Sequence, residues 1–384
     1  MVSSKKSYGR EIMRIFKGWA TTTLICVGGS GAFAGGMEVT RLPTDMMFEK
    51  GNYTSVAFGK FKPDVTDNRF ATLGSMYKDR SAVTFTFKTQ INDKFSLGFA
   101  KYKSAEISLD YSTASTFFSA ASLPNPYVEL SVDTMALLGR YEMDERVSII
   151  GGLKYSTGSG GGNIISAPAG VIEAKADSVV GGIMGASYEI PEIALRISGV
   201  YQAKQEMSHS STTTVSGTVI DLENTKSALP ASLTIDFQSG IAPDTLLFGS
   251  IHRAFWSDAH ISFWSTTALG GGGTGSYIQK STWTDTTSLS LGIGRKLSDQ
   301  WAVSASLNYE GASEATGTSL LSTTDGVRGI TLGGKYTSEG GTTISAGINR
   351  SKLGDKAVTI AGPFTGTFTN NSVTSIGFKI GHNF

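Results

Sequence analysis

Apolar and polar residues alternate along most of this chain in short runs. Ala82–Gln90 sets Val83, Phe85 and Phe87 on one face against Thr84, Thr86 and Lys88 on the other. A few residues later Phe95, Leu97 and Phe99 resume the apolar face, opposed by Ser96, Gly98 and Ala100. A period of two puts successive side chains on opposite faces of a β-strand. The pattern recurs at Val128–Leu138, Val147–Tyr155, Leu195–Gln202, Leu289–Ile293, Trp301–Tyr309, Ile330–Tyr336, Ile344–Ile348 and Ile376–Phe384. With Tyr53–Phe61, Asp177–Tyr188, Leu233–Gln238 and Thr245–Phe255, the chain offers about fourteen strands.

Two kinds of connection separate these runs, and they take turns. Tight ones lie at Asn92–Asp93, Asp144–Glu145, Pro191–Glu192, Ala242–Asp244, Ser298–Asp299 and Glu339–Gly341. Between them come long Ser/Thr/Gly-rich stretches such as Thr157–Ala176, Ser208–Ala228 and Ser257–Ser281. Placing every minimal turn at one end predicts an all-β fold: a transmembrane antiparallel β-barrel of about 14 strands, with short periplasmic turns and long extracellular loops. Trp301 and Tyr309 end one lipid-facing row about 27 Å apart at strand rise, which suits two aromatic girdles. A β-propeller is the competing architecture, but no blade motif recurs and the loop lengths are one-sided.

The first 34 residues read as a signal peptide: basic Lys5, Lys6, Arg10, Arg14 and Lys17, an apolar Trp19–Val27, and the small-x-small site Ala32-Phe33-Ala34. Residues 35–51 lack a strand pattern and read as a short strap or plug in the lumen, leaving 52–384 as the barrel. Removing the signal takes five of 33 basic residues and one of 32 acidic ones, so 28 stand against 31, a net of −3. It also removes Cys26, the chain's one cysteine, leaving no disulfide or thiol chemistry. A mildly acidic chain without a basic stripe is not a nucleic-acid binder. The 40 % hydrophobic content and 47 glycines suit a wall with lipid on one side and a wet lumen on the other.

Little here points to catalysis. The mature histidines, His209, His252, His260 and His382, have no ligand spacing for a metal, and no cofactor motif is present. Gly158–Gly162 and Gly270–Gly273 lack the Lys-Ser/Thr ending of a phosphate loop and read as flexible loop segments. Strand parity points Lys88, Lys154, Arg196, Lys204, Lys335 and Lys379 inward against Asp133 and Asp236. Such a lumen favours a carboxylate or another anion, unless the charges pair among themselves and with the plug. Lys154, Arg196 and Lys335 are the candidate partners of an anionic head group. Apolar pairs interrupt the polar loops: Phe117-Phe118, Ile164-Ile165 and Val171-Ile172 are candidate capture residues for a hydrophobic ligand.

Leu229–Phe237, then Gly240–Ser250 and Arg253 to Trp256, resemble the FadL family of outer-membrane transporters for long-chain fatty acids and other hydrophobic compounds. The terminal Phe384 resembles the signal read by the outer-membrane barrel-assembly machinery. The resemblance implies an integral protein of a Gram-negative outer membrane that contacts its lipid. It also implies capture of a hydrophobic compound, such as a fatty acid, by the loops and sideways release through the barrel wall. Gly98 is the expected kink in the third strand. Two departures are visible: the N-terminal hatch is short, and Asn125-Pro126 falls in a loop. The alternatives from other classes are a structural or adhesive barrel and a general diffusion porin.

Overall fold

The computed structural model describes residues 37, 39–67, 74–113, 125–164, 170–215, 218–221, 224–265, 276–279, 281–312, 319, 321–361 and 364–384. The expected signal peptide lies outside the described residues. Fourteen strands form the wall. They are β1 (Tyr53–Asp64), β2 (Arg80–Gln90), β3 (Phe95–Asp110), β4 (Tyr127–Glu142), β5 (Val147–Ile164), β6 (Gly170–Ile190) and β7 (Leu195–Gln202). They continue as β8 (Ser232–Ala242), β9 (Thr245–Ala254), β10 (Thr286–Lys296), β11 (Trp301–Glu310), β12 (Val327–Thr337), β13 (Thr342–Leu353) and β14 (Ser372–Asn383). Each pairs antiparallel with its neighbours, and β14 closes on β1 from Tyr53↔Asn383 to Asp64↔Ser372. Closure removes the open edge of the sheet. No described helix is long and apolar enough to cross a membrane.

The six expected tight turns connect β2 to β3, β4 to β5, β6 to β7, β8 to β9, β10 to β11 and β12 to β13. Asx geometry builds two of them. The Asn92 side chain accepts from the Lys94 and Phe95 amides, and Asp144 does the same for Arg146 and Val147. These bonds hold the Asp144 carboxyl below the usual carboxylate range.

The outside of the wall is apolar: Val83 and Leu153 are each 58 % exposed, Leu307 63 % and Ile330 54 %. An apolar belt of this kind needs lipid, not water, against it. Inside, short hydroxyls bond across strands, as in Ser55–Thr86 (2.6 Å), Thr134–Ser156 (2.8 Å) and Ser148–Ser187 (2.6 Å). Trp301 and Tyr309 both face outward, and Trp301 lies 5.1 Å from Tyr336.

Several sequence expectations need correction. Val128, Val132, Ala136 and Leu138 face inward and are buried, while Met135, Leu137 and Tyr141 take the outer face of β4. Asp133 is therefore exposed on the outside. Lys204 lies beyond the end of β7 and pairs with Glu206 at 2.6 Å instead of entering the lumen. Gly158–Gly162 are not a loop but the far part of β5, paired with both β4 and β6. A Cβ at Gly160, Gly161 or Gly162 would run into a neighbouring carbonyl (Glu129, Ile172 and Tyr127 respectively), so the strands approach too closely there for a side chain. Gly270–Gly273 lie outside the described residues.

The loop-side segments carry short strands of their own, including Gln205–His209 paired with Thr225–Leu229 and Lys356–Ala361 paired with Phe364–Phe368. With the adjoining wall they enclose a buried apolar cluster at the loop end that includes Tyr77, Leu109, Tyr111, Trp256, Trp283 and Phe368. Trp256 and Trp283 meet edge-on at 5.1 Å.

Candidate functional site

Met37 and Val39–Asn52 run inside the barrel. Pro43 fixes the approach to a 3-10 helix, Thr44–Phe48, which buries Met46, Met47 and Phe48 against Tyr53, Ala100, Tyr102, Ala136, Leu138 and Ile150 of the wall. This apolar plug explains the turn-side half of the inner face of β4, where Ala136 and Leu138 meet methionine and phenylalanine, not water; Val128 and Val132 join the loop-side cluster instead. Gly98 belongs to the same contact. It is fully paired with Lys88 and Leu138, and a Cβ on it would strike the Met47 sulfur. It is a seat for the plug and not the expected kink.

Cations fasten the plug. Lys88 donates to the carbonyls of Glu49 (2.6 Å) and Gly51 (3.1 Å). Arg140 donates to the Met47 carbonyl at 3.2 Å and to Ser148 at 2.9 Å, and pairs with Glu189 and Glu142. The Phe48 ring receives two guanidinium groups, Arg140 at 4.7 Å and Arg196 at 4.2 Å from its centroid. Glu49 is buried at 6 % exposure; burial lifts its carboxyl to about 7, against the pull of Lys379 and Lys335. Much of the inward positive charge is thus committed to the plug.

The wall itself is interrupted beside the plug. The β2–β3 ladder runs from Gln90↔Ser96 only to Phe85↔Lys101, so residues 80–84 fall outside that ladder. Beyond that point a bulge lies between Lys103 and Ala105 of β3. Met37 and Val39 take up the vacated edge: the Val39 amide donates to the Ser104 carbonyl (2.9 Å), and the Glu106 amide to the Met37 carbonyl (2.8 Å). Arg80 reaches across to the Glu106 carbonyl at 2.8 Å. Val39, Phe61 and Ala82 form one small apolar cluster over this seam. Without the N-terminal segment, buried backbone groups on β3 would lack partners, at a cost of several kcal/mol each in lipid.

A cavity of about 310 Å³ lies between the plug and the wall. Leu42, Phe61, Ala82, Val200 and Phe248 supply apolar surface; Arg196, Asp236 and Lys379 supply charge. A mostly apolar hollow with a few convergent polar groups is the usual form of a small-molecule site, and this volume is near the lower end of the ordinary range, about 300–1,000 Å³. Val39, Phe61 and Ala82 line both cavity and seam, so the two adjoin.

The sequence-predicted residues are not gathered in one place. Arg196 (5 % exposed) lines the cavity. Lys154 (4 %) faces inward at a smaller hollow shared with Thr40, Leu42 and Gln202. Lys335 (8 %) acts on Glu49. Val171 and Ile172 sit on opposite faces of β6, the first on the outside and the second buried. Ile164 ends β5, opposite Gly170. Phe117, Phe118 and Ile165 lie outside the described residues. The composition of the plug, with Met46, Met47 and Phe48 behind Pro43, was readable in the sequence. Their docking onto Gly98 and Arg140 had no local signal.

Known structures share this architecture. A Pseudomonas aeruginosa FadL homologue superimposes with TM-score 0.70 at 14% identity, covering 94% of this chain and 99% of that one. The Pseudomonas putida toluene transporter TodX gives 0.66 at 14% identity, with 97% and 98% covered. The Ralstonia pickettii toluene transporter TbuX gives 0.60 at 13% identity, with 91% and 95% covered. No protein-family model and no curated protein matches the chain in sequence. The fold is therefore that of the FadL-type barrels.

Proposed function

We propose that this barrel sits in a Gram-negative outer membrane and carries hydrophobic compounds, with long-chain carboxylates as expected cargo, from the outside into the bilayer through its own wall. The observation that carries the proposal is the seam: a gap in the β2–β3 ladder, stoppered by Met37 and Val39, beside an amphipathic cavity. The fold's occurrence in a FadL homologue and in toluene transporters supports it. Lateral exit spares an apolar solute a passage through water.

In this mechanism Phe117, Phe118, Ile164, Ile165, Val171 and Ile172 of the outer loops and rim take up the solute. Arg196, helped by Lys379, meets a carboxylate in the cavity; Lys154 at the smaller hollow and Lys335 beside Glu49 are further candidate partners. Withdrawal of Met37 and Val39 from β3 then frees the seam. The apolar tail leaves past Val83 and Phe85, which already face lipid. Assembly uses Phe384, 61 % exposed beside Phe87 at the turn end, as the mark read by the assembly machinery.

Uptake of labelled oleate by cells with and without the protein tests transport; equal rates overturn it. Val83→Cys with Lys103→Cys, joined by a bifunctional maleimide, tests the exit. Both positions flank the seam, and the mature chain supplies no competing thiol. Cross-linked cells should fall to the rate of cells lacking the protein, and untreated cells should not. Undiminished uptake after complete cross-linking removes the lateral route.

A further inference from the structure

On β11–β14 the outer face changes character toward the loop side. Leu307, Ile330, Ile348 and Ile376 form the apolar belt, all between 48 % and 63 % exposed. One or two steps beyond them stand Arg328, Arg350 and Lys352, all exposed. Arg328 and Lys352 are directly opposite one another in the β12–β13 ladder, and Arg350 stands opposite Thr374, which in turn faces Lys62 on β1. Arg328 lies over the Tyr309 ring at 5.9 Å, and Arg350 donates to the Thr374 hydroxyl. Among the described residues, the ion pairs of the protein include none of Arg328, Arg350 and Lys352.

Like charges facing across a ladder destabilise a sheet. Here the three cations rim an outward hollow of about 710 Å³, whose apolar floor is Leu307, Ile330 and the Tyr309 ring. Asp64 is the carboxylate that also lines it. The hollow is amphipathic in the direction of the barrel axis: hydrocarbon toward the belt, guanidinium and ammonium toward the loops. That matches a lipid lying against the wall, and two arginines can each grip a phosphate through paired N–H groups. Basic clusters at the level of lipid headgroups recognise phosphorylated ones.

We propose that this hollow binds a phosphorylated glycolipid of the outer leaflet. Its phosphates lie on Arg328, Arg350 and Lys352, with Lys62 at the edge, and an acyl chain lies along Leu307 and Ile330. The proposal rests on the outer-membrane placement and not on transport.

Native mass spectrometry of the purified full chain in non-ionic detergent tests it, titrated with bisphosphorylated lipid A, with its dephosphorylated form, and with inorganic phosphate as competitor. The variant Arg328→Gln/Arg350→Gln/Lys352→Gln should weaken lipid A binding about tenfold or more. A control, Lys101→Gln/Lys175→Gln, removes exposed cations elsewhere on the outside and should stay within about twofold. The dephosphorylated lipid should bind the unaltered barrel as weakly as lipid A binds the triple variant. If the triple variant loses the heat-resistant mobility of a folded barrel, Lys352→Glu replaces it, because that carboxylate would pair with Arg328 and block the site. Equal binding by variant and unaltered barrel, equal binding of the dephosphorylated lipid, or displacement by equimolar inorganic phosphate overturns the proposal. Oleate uptake should be unchanged in the triple variant, which separates this site from the seam.

Discussion

Replacing Arg140 with methionine lowers the stability of the barrel by about 3–5 kcal/mol, the usual cost of breaking a buried ion pair from one side. The Arg140 side chain is 11 % exposed and holds four partners at once: Glu189, Glu142, Ser148 and the Met47 carbonyl. Its loss strands the Glu189 carboxylate (19 % exposed) and removes one of two cations from Phe48. Methionine fills the volume, so the measured loss reports charge and hydrogen bonding more than a cavity. Urea titration of the barrel in detergent micelles, read by heat-modifiable mobility, gives the midpoint. The double variant Arg140→Met/Glu189→Gln should recover part of the loss, because the less exposed carboxylate is then neutral and Glu142, 38 % exposed, is left to solvent. An unchanged midpoint for Arg140→Met would show that the plug is not anchored through this residue.

Raising the pH from about 5 to about 8 loosens the plug by about 2.5 kcal/mol through Glu49. The carboxyl titrates near 4.5 when released and near 7 when docked, because burial penalises its charged form. Between those values the docked state keeps a proton that the released state has lost, so docking weakens as pH rises through the window. Below 4.5 both states are protonated, and above about 7 neither is, so the profile is flat on both sides. Lys379, Lys335 and Arg196 oppose the shift and Asp45 adds to it. Openings in planar bilayers should grow more frequent across the window, and Glu49→Gln should abolish the dependence. A profile with the same slope in Glu49→Gln would assign the titration to another group.

The wall was legible in the sequence because lipid and turns both leave local marks. Phe85 and Phe87 alternate with Thr86 and Lys88 since one face meets hydrocarbon, and Asn92 and Asp144 cap turns with their own side chains. The assignment of faces failed on β4, where Ala136 and Leu138 point to an apolar plug while Met135 and Leu137 point to lipid. When both faces are greasy, a period of two no longer says which is out. Gly158–Gly162 misled for a related reason. Glycine signals a loop in isolation, but here it lets adjacent strands close on one another. The seam had no signature at all, because it arises from how far two distant strands happen to pair and from what the N-terminal segment does at their free edge.

Strand length has a consequence of its own. β3, β4, β5 and β6 run for 16, 16, 18 and 21 residues, whereas β7 has eight and β8–β14 have 10 to 12. At about 3.3 Å per residue, β6 measures roughly 70 Å along its path, about twice the length of β10. The cylinder therefore rises on one flank into a parapet of paired backbone, whereas the strands of the opposite flank stop lower, with the separate pair Lys356–Ala361 and Phe364–Phe368 above them. Such a lopsided mouth faces a compass direction within the plane of the envelope. In the outer-membrane setting proposed above, the way each molecule is turned among its neighbours would then decide from which side a solute can reach it.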